Sequence, residues 1–503
     1  MFDTSRKSVQ LLSYDDDHPK ELRGSLIPRK GKGHHPLPQV RQTMLPMLVS
    51  GARTLFFLLL PLSAVFMLAV FATAGYGLVV EQQLAAAPVV TIVDPYTSER
   101  TELSYGPQIA LSEPNFFIET RDSFIDEAFT FLEIDLSQKQ VRYFEKGVLL
   151  SSKDILATGE KGSWWDTPAG LYQVERKQPR LFSSFAQVYL PSAITFGGNY
   201  MLHGWPEYPD SSTVKESFTG GGIRLSNDAI DDIYKAISVA TPVLVHAERN
   251  LIDSFTYEPA VPGIDAPHYL IADVQNGTIL AASTLEEEAP IASVTKLMTA
   301  VIAAEEINLD TRVKVTEPTF ITSLIPRLSD RSSVSMYSLL QLLLVESSNE
   351  AAEVIASQLG RDVFIERMNE KALQLGMLHT HFSDPAGRND DNVSTPGDLY
   401  RLTRYVYDTR RFIFEITAHE QMPSAYVGNE FADLINFNKI ENLENFRGGK
   451  VGETTAAGQT SVSLHELQIQ GETRTVMIVL LGSHERKEDV KALLAHVENN
   501  FSH

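Results

Sequence analysis

Between Thr54 and Val80 the chain carries no charged side chain, and the run includes stretches such as Leu55–Leu60 and Ala64–Ala72. A helix crosses a bilayer with about 20 apolar residues, so this segment is long enough, and Pro61 within it is tolerable in a membrane helix. A cleaved signal peptide ending at Ala85-Ala86-Ala87 is the rival reading. Signal h-regions run only ~7–15 residues and lie near the N-terminus, whereas this run begins after 53 residues. A transmembrane helix over 54–80 is therefore the expectation. Nine Lys/Arg against five Asp/Glu give residues 1–53 a net charge of +4. Arg29, Lys30, Lys32, Arg41 and Arg53 gather ahead of the run, which places the N-terminus in the cytoplasm and residues 81–503 on the outer face of the cell membrane, as a single-pass protein. The arm 1–53, with Gly31, His34, His35, Pro36 and Pro38, reads as disordered.

The whole chain carries −21, so the part beyond the arm carries −25. An exterior that acidic argues against nucleic acid as a partner. No cysteine occurs in the 503 residues. That excludes disulfides, thiolate metal sites and a Cys nucleophile. No His/Asp/Glu grouping has metal-ligand spacing, and neither a metal nor another cofactor is expected.

Beyond the membrane run, residues 81–127 read as a linker or lead-in. Residues 128–247 form a mainly-β domain built from hairpins. Phe131–Leu136 and Val141–Phe144 are strand-like runs parted by polar turns, and Val243-Leu244-Val245 closes the domain. Residues 248–267, with Pro259, Pro262 and Pro267, read as a second linker. Residues 268–503 mix apolar helices with strands, an α/β pattern of helices and antiparallel sheet. They open with Tyr269–Asp273 and Thr278–Ala282 around Asn276-Gly277, a dipeptide suited to a two-residue hairpin turn.

Within that last domain, Ser293-Val294-Thr295-Lys296 stands at the head of a run in which Ile291, Leu297, Met298, Val301 and Ile302 leave almost no polar face, hence a buried helix. Residues three apart share a helix face, so the Ser293 hydroxyl and the Lys296 amine can meet. A serine becomes nucleophilic when a base takes its proton, and a lysine is such a base only when burial or a neighbouring cation lowers its pKa. The chain's other Ser-x-x-Lys, Ser212 to Lys215, lies in a polar stretch and reads as chance. Farther on, Ser347-Ser348-Asn349 ends an apolar helical pattern, Tyr337–Val345. Such residues serve equally as helix caps or as groups reaching a neighbouring site. Finally, Gly448–Gly452 precedes two β runs, Thr460–Leu464 and Thr475–Leu481. Glycine there lets a second backbone lie close against the strand, and Lys450 would supply the second cation that keeps Lys296 neutral.

The order Ser-x-x-Lys, Ser-x-Asn, Lys-x-Gly resembles the penicillin-recognising serine D-alanyl-D-alanine carboxypeptidases. The likeness runs over nearly all of 268–503, through Phe364–Asn369, Leu375-Gly376-Met377, Asp384-Pro385-Ala386-Gly387 and Ser394-Thr395. It implies Ser293 as acyl-forming nucleophile, Lys296 as its base, Ser347 as proton relay and Asn349 on the substrate amide. Lys450 would take the carboxylate end, with Gly452 and Thr454 along the substrate strand. The amides of Ser293 and of Glu453 or Thr454 would form the oxyanion hole. It further implies peptidoglycan stem peptides as substrate and β-lactams as inhibitors. Val451 departs from the family's usual Thr or Ser, which leaves open an endopeptidase acting on cross-links and a non-catalytic wall-binding protein. The Glu-x-x-Leu-Asn segment of class A β-lactamases is missing. The family often adds a C-terminal β domain and an amphipathic anchor; here the 54–80 helix is expected to supply attachment instead.

The preceding domain resembles an L,D-transpeptidase catalytic domain through Thr158-Gly159, Thr167–Gly170, Leu202-His203-Gly204 and Thr219–Leu225. His203 and Arg224 match that family. Gly222 stands where its catalytic Cys would be and Gly220 where the neighbouring His would be, so the domain reads as inactive. It is either a retained groove for stem peptides, with Arg224 offered to a carboxylate, or a spacer.

Overall fold

A computed structural model describes residues 90–93 and 100–501, apart from 184–186, 213, 215–218, 220–221, 249–259, 265, 310, 317–320, 322, 419–429, 432 and 440–442. The expected membrane helix and cytoplasmic arm lie outside the described residues, as do Gly220 and Lys215. Among the described residues no helix is long and apolar enough to cross a membrane. All of the described residues belong to one compact unit.

The first domain is organised on one nine-stranded sheet. After a short ladder of β1 (Val90–Val93) and β2 (Arg100–Leu103) come β3 (Gly106–Pro107), β4 (Phe131–Asp135), β5 (Gln140–Glu145), β6 (Val148–Asp154), β7 (Gly170–Ser183), β8 (Val188–Phe196), β9 (Tyr200–His203), β10 (Ile223–Arg224) and β11 (Pro242–His246). Their spatial order is β10-β9-β8-β7-β11-β4-β5-β6, with β3 paired to β7. β4 is buried along its whole length, because Leu132 and Ile134 on one face pack with Val141 and Tyr172, and Phe131 on the other packs with Phe124 and Phe144. That second face corrects the reading of 81–127 as a lead-in. Pro114–Asp126 is a helix, started by Pro114 at its first position, where proline's missing N–H costs nothing. Its Phe117 and Phe124 fill the core beside Phe131, Phe144 and Leu171.

The second domain is a five-stranded antiparallel sheet with helices on both faces. Its strands are β12 (His268–Asp273), β13 (Thr278–Ser283), the short β14 (Ala289–Pro290), β15 (Arg312–Lys314), β16 (Ser333–Ser335) and β17 (Val393–Ser394), then β18 (Phe446–Thr454), β19 (Gly458–Ile469) and β20 (Glu472–Ser483). The main sheet runs β13-β12-β20-β19-β18, leaving β18 at an edge. Strand side chains alternate between faces, and β20 follows the rule. Val476, Ile478 and Leu480 pack on the terminal helix Arg486–Phe501, while Met477, Val479 and Leu481 face the helical core. In that core lies the helix Lys296–Glu306, buried at every residue but Glu306, as its all-round apolar pattern requires.

The Asn276-Gly277 turn differs from expectation. Asp273 pairs with Thr278, so four residues form the loop. The Asp273 carboxylate accepts from the amides of Gln275 and Asn276, which winds the chain through a full turn before Gly277, at φ +80°, closes it. Arg474 pins the same carboxylate at 2.8 Å.

Candidate active site

Ser293 sits on a 3-10 turn, Ala292–Thr295, rather than on the α-helix, which begins at Lys296. In a 3-10 turn residues i and i+3 eclipse, which aligns the two side chains more closely than an α-turn would. The Lys296 amine lies 2.8 Å from Ser293 Oγ, 2.9 Å from Asn349 Oδ1 and 2.5 Å from the Ala386 carbonyl. Two N–H bonds directed to Asn349 and Ala386 leave the lone pair of a neutral amine for the serine proton. Burial lowers the Lys296 pKa to about 7; Asp384's charge opposes this and Arg388's adds to it.

A loop from Asp384 to Asn392 holds this arrangement. One Asp384 oxygen accepts from the amides of Ala386 and Gly387, each at 2.7 Å, and the other from Asn389 at 2.7 Å and from the Asn392 side chain at 2.8 Å. Burial alone would raise that carboxyl, but these donors hold it below the usual range. The fold of the loop turns the Ala386 carbonyl toward Lys296. Gly387 has φ +74°, and a Cβ there would lie 1.9 Å from the Ala292 carbonyl. Ala292 itself is left-handed at φ +46°, a conformation that costs an L-residue of order 1–3 kcal/mol and collects at functional sites.

Ser347 follows the helix Met336–Val345 at φ +55° and is half-buried. Among the described residues its hydroxyl makes no hydrogen bond. The capping role falls to Ser348, whose Oγ accepts from the Ala351 amide at the start of Asn349–Ala356. Asn349 commits Oδ1 to Lys296. Its amide, with that of Glu350, donates to Ser323 Oγ at 3.0 and 3.1 Å.

Lys450 is fully buried on edge strand β18, and its amine donates to Asn438 Oδ1 at 3.1 Å and to the Val451 carbonyl at 3.0 Å. Burial, the neighbouring Lys296 and Arg486 hold the Lys450 amine well below its ordinary value, and the repulsion between the two lysines is mutual. Gly452 brings β18 against the nucleophile, for a Cβ there would lie 2.7 Å from the Ser293 nitrogen and 2.6 Å from Thr460 Oγ1. Thr454 ends the strand, and its Oγ1 accepts from the Ala457 amide in the β18–β19 turn.

Ser323, Asn438 and Arg486 were not singled out by the sequence. Asn438 ties β18 to the helical core, with Nδ2 on the Leu344 carbonyl at 2.6 Å. Arg486 reaches the carbonyls of Gly452 and Thr460 at 3.1 and 3.3 Å. Each stands in no motif and is brought in by tertiary folding alone.

In the first domain, His203 and Arg224 lie side by side on the parallel pair β9–β10. His203 is fully buried, with Nδ1 2.7 Å from the Gly204 carbonyl. The Arg224 guanidinium stacks 4.1 Å from the Trp205 ring and is 2% exposed. Gly222 has φ +84°, and a Cβ would meet the Met201 carbonyl at 2.6 Å. The position thus refuses a nucleophilic side chain as well as lacking one.

Residues 255–483 match peptidase family S11, D-alanyl-D-alanine carboxypeptidase, and residues 130–245 match the L,D-transpeptidase catalytic domain. The chain is 31% identical over 217 residues to a D-alanyl-D-alanine endopeptidase of Haemophilus influenzae, covering 41% of this chain and 73% of the relative. Over 231 residues it is 31% identical to the D-alanyl-D-alanine carboxypeptidase DacB2 of Mycobacterium tuberculosis, covering 44% and 77%. A solved D-alanyl-D-alanine carboxypeptidase from Mycobacterium tuberculosis H37Rv aligns at 25% identity and TM-score 0.42, over 48% of this chain and 93% of its own.

Proposed function

The chain belongs to the serine D-alanyl-D-alanine carboxypeptidase family, and from that premise we propose that it trims peptidoglycan stem peptides through an acyl-enzyme on Ser293. As a serine D,D-peptidase it must break an amide in two half-reactions. In the first, neutral Lys296 takes the Ser293 proton and Oγ attacks the carbonyl carbon between the two D-Ala residues. The oxygen that becomes negative is received by the Ser293 amide and by an amide of β18, at Glu453 or Thr454. Donors set for the oxyanion matter most at that moment. The proton passes to the departing D-Ala amine by way of the Ser347 hydroxyl, and Lys450 attracts the terminal carboxylate. Water, deprotonated by the same amine, then releases the ester.

The observation that carries this reading is the 2.8 Å contact between the serine hydroxyl and a buried amine whose pKa burial lowers to about 7. Fluorescent penicillin labelling together with D-Ala release, with Ser293→Ala as control, tests it. Wild type labels and releases D-Ala; an unlabelled, folded wild type would leave a non-catalytic wall-binding protein.

Val451 supports a second reading, an endopeptidase for cross-links that present no free carboxylate there. A lost hydrogen bond to a charged group costs about 1.5–3 kcal/mol, or about 10- to 150-fold in rate. Val451→Thr should raise pentapeptide hydrolysis by about that factor and leave cross-linked dimer hydrolysis unchanged. An equal gain on both substrates rejects the endopeptidase reading.

The 54–80 run and the cations before it support a single-pass membrane anchor with both domains outside the cytoplasm. β-Lactams are proposed as acylating inhibitors, because they meet the same nucleophile.

A further inference from the structure

The helix that carries Lys296 runs straight from the reactive end to the junction with the first domain. The last carbonyls of a helix lack intrahelical partners; here the Ile307 amide caps the Ala303 carbonyl, while two others, one in the last turn and one on the capping residue, are met by the other domain. Asn199 Nδ2 donates to the Ala304 carbonyl at 3.3 Å and to the Ile307 carbonyl at 3.4 Å. Asn199 sits in the three-residue turn Gly197-Gly198-Asn199 that joins β8 to β9. The two glycines have φ +59° and +78°, and the turn is wedged between two bodies. A Cβ on Gly197 would meet the Tyr172 ring at 2.5 Å, and one on Gly198 would meet the Glu305 carbonyl at 2.5 Å. Backbone therefore lies directly on the helix end.

A buried ionic bridge fastens the same end. Glu305 is paired with Lys371 at 2.5 Å and with Arg410 at 3.3 Å, and Tyr405 donates to it. Burial would raise the Glu305 carboxyl, but Lys371 and Arg410 outweigh it and hold it low. Arg410 then crosses to the first domain, donating to Tyr200 and, at 2.9 Å, to the Asp166 carbonyl.

We propose that the L,D-transpeptidase-like domain, which has no nucleophile of its own, serves as the fixed support of the peptidase's nucleophile helix. In this role Asn199 and Gly198 are positioning residues for Lys296. The inference rests on the reading of Ser293 and Lys296 given above. Residues 197–200 lie outside the segment that matches the peptidase family, so the support is an addition to that domain. From Glu305 to Lys296 is roughly 14 Å at ~1.5 Å per helical residue. Close-packed interiors transmit displacement instead of absorbing it, and a shift of about 1 Å at a catalytic group can cost about 100-fold in rate.

The test uses the full chain and three variants. Asn199→Ala removes the donors and Gly198→Ala drives a methyl into the helix end. Gln374→Ala is the control: it cuts another bond across the junction, to the Tyr105 carbonyl at 3.1 Å, beside the same cavity as Glu305 but not made to the nucleophile helix. The second-order rate of acylation by a fluorescent penicillin, its pH profile and the melting temperature are measured at a temperature where each variant is folded. The expected result is a tenfold or greater loss of acylation rate in Asn199→Ala and Gly198→Ala with a displaced pH limb, and a rate within twofold of wild type in Gln374→Ala. Asn199→Ala decides alone should Gly198→Ala not fold. Helix-end variants within twofold of wild type overturn the inference, and so does a loss in all three that follows melting temperature. In either case a labelled wild type keeps the peptidase reading, whereas an unlabelled wild type overturns both.

Discussion

Lys296 works as a base only after losing its proton, and its surroundings decide the pH at which that happens. Burial is the largest influence, Asp384 opposes it and Arg388 assists it, leaving the pKa at about 7. Acylation of Ser293 should therefore fall about tenfold per pH unit below pH 7 and level off above it, as for any single essential base. Removing the assisting cation by Arg388→Gln raises the Lys296 pKa, so the limb moves to higher pH. A stopped-flow acylation profile of both proteins checks the sign; a limb that stays put or moves down removes Arg388 from the account. The Ser293–Lys296 contact was legible in the sequence, because three-residue spacing before an apolar run dictates that the two side chains meet. The help of Arg388 was not, since 92 positions separate it from Lys296 along the chain.

Edge strand β18 contributes Lys450, Gly452 and the amides that face the nucleophile, yet strand pairing holds only one of its sides. Asn438 secures its middle, accepting from Lys450 Nζ and, at 3.2 Å, from the Val451 amide while donating to the Leu344 carbonyl. Asn438→Ala strands buried polar groups, each costing about 1–3 kcal/mol. Thermal unfolding should show a loss of at least that size, with acylation slowed; an unchanged melting temperature would mean that water or a neighbour replaces the side chain. The apolar helices were readable from their period, whereas β18 was marked only by its glycines and the Lys450-Val451-Gly452 motif. The Asn276-Gly277 loop was misjudged because its length is set by the Asp273 side chain and by Arg474, some 200 residues away. Likewise the helix Pro114–Asp126 was missed as part of a core, its Phe117 and Phe124 being spaced for burial but set among polar residues.

The two domains are joined through charge that composition conceals. Glu305 ends an apolar helix and would be read as its solvated tip, yet it is 4% exposed and pairs with Lys371 and Arg410. Breaking a buried ion pair by deleting one partner costs about 3–5 kcal/mol. Arg410→Met should therefore lower the melting temperature clearly and, because Arg410 fastens the same helix end, slow the acylation of Ser293 as well; no change in melting temperature would mean that the junction does not depend on this bridge. The order of the domains was legible from their motifs, but their shared boundary was not, because no sequence period marks a lone buried charge. Everything functional in this account returns to one covalent bond. Mass spectrometry of the folded full chain after benzylpenicillin treatment should find the acyl adduct on the peptide containing Ser293, and none in Ser293→Ala. Folded protein with no adduct there, or with the adduct on another residue, would contradict the account.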